Sequence, residues 1–157
     1  MPDIYSFDTS ALIDGLERFY PQQNFPTLWQ RIDDLIAQGR LVISEEVWNE
    51  AIRVASATKD WCEDSTASRD QAIFSTNASV STIVGAIMSQ FPQWSTQGQK
   101  NGADPFVIAV AESQQGVVIT GEKDGGPSKP KIPYVCKQRD VDCGRFVRVI
   151  TSEGWAF

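Results

Sequence analysis

Three acids stand where an acid is costly, and a fourth borders an apolar stripe. Asp8 directly follows the apolar run Ile4-Tyr5-Ser6-Phe7, Asp104 opens the stretch Pro105-Phe106-Val107-Ile108, and Glu122 comes just after Val117-Val118-Ile119-Thr120. Glu50, in Ser44-Glu45-Glu46-Val47-Trp48-Asn49-Glu50-Ala51, falls three after Val47 and one before Ala51, at the border of an apolar stripe. Gathered carboxylates repel one another and raise each other's pKa, so such a cluster usually needs a cation to persist. Oxygen donors of this kind suit Mg2+ or Mn2+, whereas zinc would usually recruit histidine or cysteine.

Each acid also has a simpler role open to it. Asp8 can cap the helix that follows it. Asp104, ahead of Pro105, is an ideal helix cap, and a carboxylate can cap with one oxygen and bind a cation with the other. Glu122 sits in a polar segment where a solvated acid is ordinary, and Asp124, two residues on, could do the same work. Glu45 and Glu46 are explained by the favourable start of a helix.

The chain has no histidine. That excludes Ser-His-Asp and Cys-His catalysis, histidine bases and nearly all catalytic zinc sites. Cys62, Cys136 and Cys143 are scattered and odd in number, which suggests neither a zinc site nor a disulfide framework. With 41% hydrophobic and 22% charged residues in 157, one globular domain over residues 1–157 is expected. No apolar run approaches the roughly 18 residues of a membrane span, and the first residues do not read as a secretory signal, so a cytoplasmic setting is expected. The net charge of −6 argues against general coating of nucleic acid. Residues 1–120 hold seven Lys/Arg and fifteen Asp/Glu, residues 121–157 seven and five, which leaves a basic edge beside an acidic body.

The elements that must position these groups alternate. A strand over residues 4–7 is expected to lead into a helix capped by Ser10, with Leu12, Ile13, Leu16 and Phe19 on one face, ended by Pro21. A helix from Pro26 to Gln38, stopped by Gly39, precedes a strand at Leu41-Val42-Ile43. Ser44 then caps a helix whose stripe is Val47, Ala51, Val54 and Ala55. Residues 58–91 read as one long or two short helices, and Pro92 to Gly102 as a polar loop. A helix follows from Asp104 to a stop at Gly116, then a buried strand at Val117-Val118-Ile119-Thr120. Residues 121–133 form a surface loop, Tyr134-Val135-Cys136 a short helix, Val141-Asp142-Cys143 an edge strand, and Phe146 to Ile150 the last helix. Such alternation predicts an α/β fold of three α/β/α layers around a mostly parallel sheet of four or five short strands. Sites in such sheets form at the carboxyl ends of the strands.

Four segments, in this order and spacing, resemble the PIN domain: Phe7-Asp8-Thr9-Ser10-Ala11-Leu12-Ile13, Val47-Trp48-Asn49-Glu50, Ala103-Asp104-Pro105-Phe106-Val107-Ile108-Ala109 and Val118-Ile119-Thr120-Gly121-Glu122-Lys123-Asp124. The VapC-like ribonuclease toxins of bacterial toxin–antitoxin pairs belong to that family. The resemblance covers nearly the whole chain. It is closest to a bacterial and archaeal branch with Tyr20-Pro21, Lys131-Ile132-Pro133, Val135-Cys136 and a terminal Glu153-Gly154-Trp155 with Phe157. It implies a metal-dependent endoribonuclease with Asp8, Glu50, Asp104 and Glu122 as catalytic and metal-binding acids. Ser10 and Thr120 would support them, with Asp124 as the alternative to Glu122. The departure is Glu122, where the family more often has Asp. An RNA substrate, an antitoxin protein and a homodimer are implied partners.

Asp8 and Asp104 are expected to hold the metal directly, Glu50 and Glu122 to ligate it or orient its water. Lys123, Lys129 and Lys131 could meet flanking phosphates, and Trp94 is the best base-stacking candidate among Trp29, Trp48, Trp61, Trp94 and Trp155. The rival readings are a catalytically inactive PIN-fold module that binds nucleic acid or protein, and an aspartate-nucleophile phosphotransferase. Ser10 stands where the latter usually carries a second acid.

Overall fold

The computed structural model describes residues 2–96 and 102–157. In chain order, β1 (Tyr5–Phe7) leads into α1 (Thr9–Ile13), which continues as a π-helical turn over Asp14–Phe19. Then come α2 (Pro26–Ala37), β2 (Leu41–Ser44), α3 (Glu45–Ala51), α4 (Ala57–Glu63), a 3-10 turn (Arg69–Ala72) and β3 (Ile73–Phe74). α5 (Ala78–Gln90), α6 (Pro92–Thr96), α7 (Asp104–Gln114) and β4 (Val117–Ile119) follow, and α8 (Ile132–Gln138), β5 (Asp142–Gly144) and α9 (Phe146–Glu153) complete the order.

The five strands form one sheet in the order β3-β2-β1-β4-β5, and every pairing is parallel. This is the α/β/α arrangement the sequence pattern predicts. From β1 the chain steps outward through β2 to β3, then crosses back to β4 and β5 on the other side. The reversal lies between β1 and β4, where open parallel sheets form their binding crevices.

Period-two alternation in β1 sends successive side chains to opposite faces. Phe7 meets the Phe146 ring of α9 edge-on at 5.6 Å. Ser6, on the other face, donates its hydroxyl to the Val107 carbonyl of α7 at 2.9 Å. All three residues of β1 are fully buried, so Ser6 requires that partner. On the α9 face, Trp29 of α2 packs against Phe146 at 5.6 Å. On the other, α7 packs with α5.

α2 shows how little the sequence leaves open. Pro26 supplies a preset first turn, and Leu28, Trp29, Ile32, Leu35 and Ile36 are all buried on one stripe. Each such side chain contributes on the order of 1.5–3 kcal/mol when fully buried. Gly39, at φ +72°, takes the left-handed position beyond the helix end.

The chain departs from expectation at several points. α3 stops at Ala51 and Val54 is 70% exposed, because Ser56 caps a new helix by accepting the Lys59 N–H. The 58–91 segment holds a strand as well as helices: β3 is only two residues long, too short for any periodicity, and pairs with Ile43 and Ser44. α7 ends on Gln115, itself left-handed at φ 53°, ahead of Gly116. The expected loop from Pro92 begins instead as α6, and residues 97–101 of it lie outside the described residues. Trp94 is therefore not a loop residue. It is 2% exposed, packs on Phe91, and donates its indole N–H to the Pro130 carbonyl at 3.1 Å. No described helix is long and apolar enough to cross a membrane, and all three cysteines are free.

Candidate functional site

Four different segments bring the four acids to the carboxyl edge of the sheet. Asp8 leaves the end of β1 and caps α1, accepting the Ala11 N–H on Oδ1 at 2.8 Å. The cap is Asp8 and not Ser10, because the Ser10 hydroxyl turns back to Asp8, 2.8 Å from Oδ1 and 2.9 Å from Oδ2. The Thr120 hydroxyl, just beyond β4, donates to Oδ2 at 2.6 Å. These hydroxyls are themselves held by backbone: Gly121 N–H donates to Ser10 Oγ at 2.8 Å, and Glu122 N–H to Thr120 Oγ1 at 3.0 Å. Ser10 and Thr120 thus both hydrogen-bond the Asp8 carboxylate.

Asp104 is the first residue of α7, and the helix cap is Ala103. No hydrogen bond reaches the Asp104 carboxylate among the described residues, so the capping role open to it in the sequence is not used. Glu50 lies in the last turn of α3, where the helix dipole disfavours an acid. Its Oε1 accepts the Thr9 hydroxyl. Glu122 accepts the Ile132 N–H on Oε1 at 3.0 Å, at the start of α8.

Asp8, Glu50, Asp104 and Glu122 line one cavity of about 230 Å3, together with Thr9 and Ser10. Burial drives the Asp8 carboxyl up to about 7, against the lowering effect of hydrogen bonds from Thr120, Ala11 and Ser10; the Glu122 charge raises it further. Burial likewise pushes Asp104 up to about 8, reinforced by the charges of Glu122, Asp8 and Glu50 and opposed by Lys131. The acids therefore sense one another electrostatically, and Asp104 senses three of them.

Asp124 is not brought into this group. Its carbonyl accepts the Tyr134 N–H, and it lines a separate cavity toward β5. Of the basic candidates, Lys131 acts on Asp104, Lys123 lines a neighbouring cavity, and Lys129 does neither, lying exposed on the loop. Sequence reasoning passed over Thr9, which holds Glu50, and Asp14, which is 6% exposed and pairs with Arg18 at 3.1 Å. The signal for Asp14 was present: an acid between Ile13 and Leu16 inside an apolar helical stripe.

The donor set is all hard oxygen, with two acids held well above the ordinary carboxylate range, which fits a hard divalent cation. As they stand, no three acids among the described residues converge closely enough to hold one ion. Glu50 and Glu122 each have one oxygen committed to a hydrogen bond and the other oxygen without one among the described residues.

No curated protein matches this chain. Its sequence does match a family profile over residues 5–157, and the chain belongs to that family, described as Domain of unknown function (DUF4411).

Proposed function

We propose that this chain is a metal-dependent endoribonuclease of the PIN type, using Mg2+ or Mn2+ to hydrolyse phosphodiester bonds. The observation that carries this reading is the cavity shared by Asp8, Glu50, Asp104 and Glu122 at the reversal of a parallel sheet. Asp8 and Asp104 would hold the metal, and Glu50 and Glu122 would ligate it or orient its water through their second oxygens. A bound divalent ion supplies charge stabilisation at the phosphate and lowers the pKa of its water. Ser10 and Thr120 position Asp8 through their hydroxyls. Lys131 offsets part of the negative charge around Asp104. A role as the toxin of a toxin–antitoxin pair, an antitoxin partner, a homodimer and a cytoplasmic setting rest on the resemblance to PIN domains and on composition.

The second reading, a PIN-fold module that binds without turnover, is favoured by the absence of three converging acids among the described residues. Incubation of the purified chain with labelled single-stranded RNA and Mn2+ separates the two. The nuclease reading expects cleavage that EDTA abolishes and that is lost in Asp8→Asn and Asp104→Asn variants with unchanged circular dichroism. Cleavage that persists in both variants, or wild-type protein that never cleaves, overturns it.

A further inference from the structure

A larger cavity, of about 590 Å3, lies back to back with the acidic one. Ile13 and Glu122 line the acidic cavity, and their chain neighbours Asp14 and Gly121 line the larger one. The larger cavity carries three cations, Arg18, Lys123 and Arg145, against one acid, Asp14, which is already paired with Arg18. In a chain of net charge −6 this is a local reversal of sign. Arg145 gives one donor to the Gly121 carbonyl at 2.7 Å, and the other N–H groups of its guanidinium are not taken by any bond among the described residues.

The remaining wall is aromatic and open. Phe19 is 60% exposed and Val147 52%, two of the few large apolar side chains exposed among the described residues. Beneath them Tyr20 lies against Phe146 at 5.2 Å, a firm floor. Cations beside an exposed aromatic ring are what single-stranded nucleic acid requires: phosphates are neutralised while a base stacks, whatever its identity. A peptide without acidic side chains would use the aromatic surface but leave the cations without a purpose.

We infer that this cavity is a nucleotide subsite for single-stranded RNA, in which Arg18, Lys123 and Arg145 meet phosphates and Phe19 stacks on a base. The assignment of the adjacent phosphodiester to the carboxylates rests on the nuclease reading; the subsite itself rests on the cavity.

Fluorescence anisotropy of a short 5′-fluorescein single-stranded RNA, measured in EDTA so that nothing is cleaved, tests it. Phe19→Ala is expected to weaken binding about tenfold, the loss of one stacked base. Lys123→Ala is expected to reduce the slope of log affinity against log salt by about 0.7, one phosphate contact on a single strand. Both side chains are exposed, so circular dichroism should not change. Unchanged affinity and slope in both variants overturn the subsite. So does wild-type protein that binds no RNA at low salt. Cleavage with unaltered KM in both variants removes the subsite and leaves the nuclease reading standing. RNA binding that depends on Phe19 and Lys123 without any cleavage does the reverse.

Discussion

The Thr120 hydroxyl donates to Asp8 Oδ2 at 2.6 Å, joining the ends of two adjacent parallel strands, and the same oxygen accepts the Glu122 N–H at 3.0 Å. One side chain thus sets the orientation of Asp8 and the direction in which the chain leaves β4. Thr120→Val keeps the shape and removes both roles. A buried group left without its partner costs roughly 1–3 kcal/mol. Loss of the donor also removes an influence that lowers the Asp8 pKa, which should then rise above about 7. The expected outcome is a lower unfolding midpoint and an acid limb of the RNA-cleavage profile displaced to higher pH. A profile that keeps its position would separate Thr120 from Asp8.

The pH dependence of stability has a definite sign. Asp8 and Asp104 titrate at about 7 and about 8 in the folded chain, against about 3.9 unfolded. Between those limits the native state binds more protons than the unfolded one, so stability falls as pH rises and levels off above about 8. Asp142 and Glu153 are lowered by Arg148 and Arg40, and their contribution is lost only as pH falls through the acid range. The metal-free protein is therefore expected to melt at progressively lower temperature from pH 5 to about pH 8 and to change little from there to pH 9. Mn2+ should restore the midpoint at pH 9 and do little at pH 5, where protons already occupy the acids. Differential scanning calorimetry in EDTA and in Mn2+ measures both; equal metal stabilisation at both pH values would contradict the donor set.

Asparagine substitutions should divide the two aspartates. Asp104 has no hydrogen-bonding partner among the described residues, so Asp104→Asn removes the repulsion from Glu122, Asp8 and Glu50 and gives up only the weaker attraction of Lys131. Asp8→Asn replaces one acceptor by a donor, and the Thr120 hydroxyl loses its acceptor. In EDTA at pH 9, Asp104→Asn is expected to raise stability by at least about 1 kcal/mol, roughly 2–4 °C for a domain of this size. Asp8→Asn should raise it less or lower it. Both should abolish cleavage. A destabilised Asp104→Asn protein would mean that its carboxylate supports the fold.

Much of this site was legible in the sequence because acids at strand ends and helix starts conflict with their apolar surroundings. Asp8, Asp104 and Glu122 announced themselves in that way. The Asp104 cap was misread because Asp-Pro favours capping locally, whereas Ala103 takes the cap position and frees the carboxylate. Trp94 was misread because its flanking residues are polar; only the continuation of the chain into α6 turns it inward onto Phe91. β3 was invisible, since two residues carry no period. The basic cavity was missed for another reason: Arg18 and Phe19 come from the π-helical turn, Lys123 from the loop after β4 and Arg145 from the start of α9, and no local pattern joins them.

Gly121 divides the two cavities and has no room for a side chain. A Cβ there would lie 2.2 Å from Asp14 Oδ2, 2.9 Å from Asp14 Cγ and 3.1 Å from the Ser10 carbonyl. Asp14 is held by its pairing with Arg18, and the Ser10 carbonyl is backbone of α1, whose shift would carry the Ser10–Asp8 contact with it. Overpacking of this kind costs about 1–3 kcal/mol. Gly121→Ala is therefore expected to lower the unfolding midpoint and to reduce kcat, since the displacement reaches Asp8 through Ser10. An Asp14→Ala background should relieve the clash and restore part of the lost stability. If the double variant is no more stable than the sum of the single losses, the contact between Gly121 and Asp14 is not what excludes a side chain.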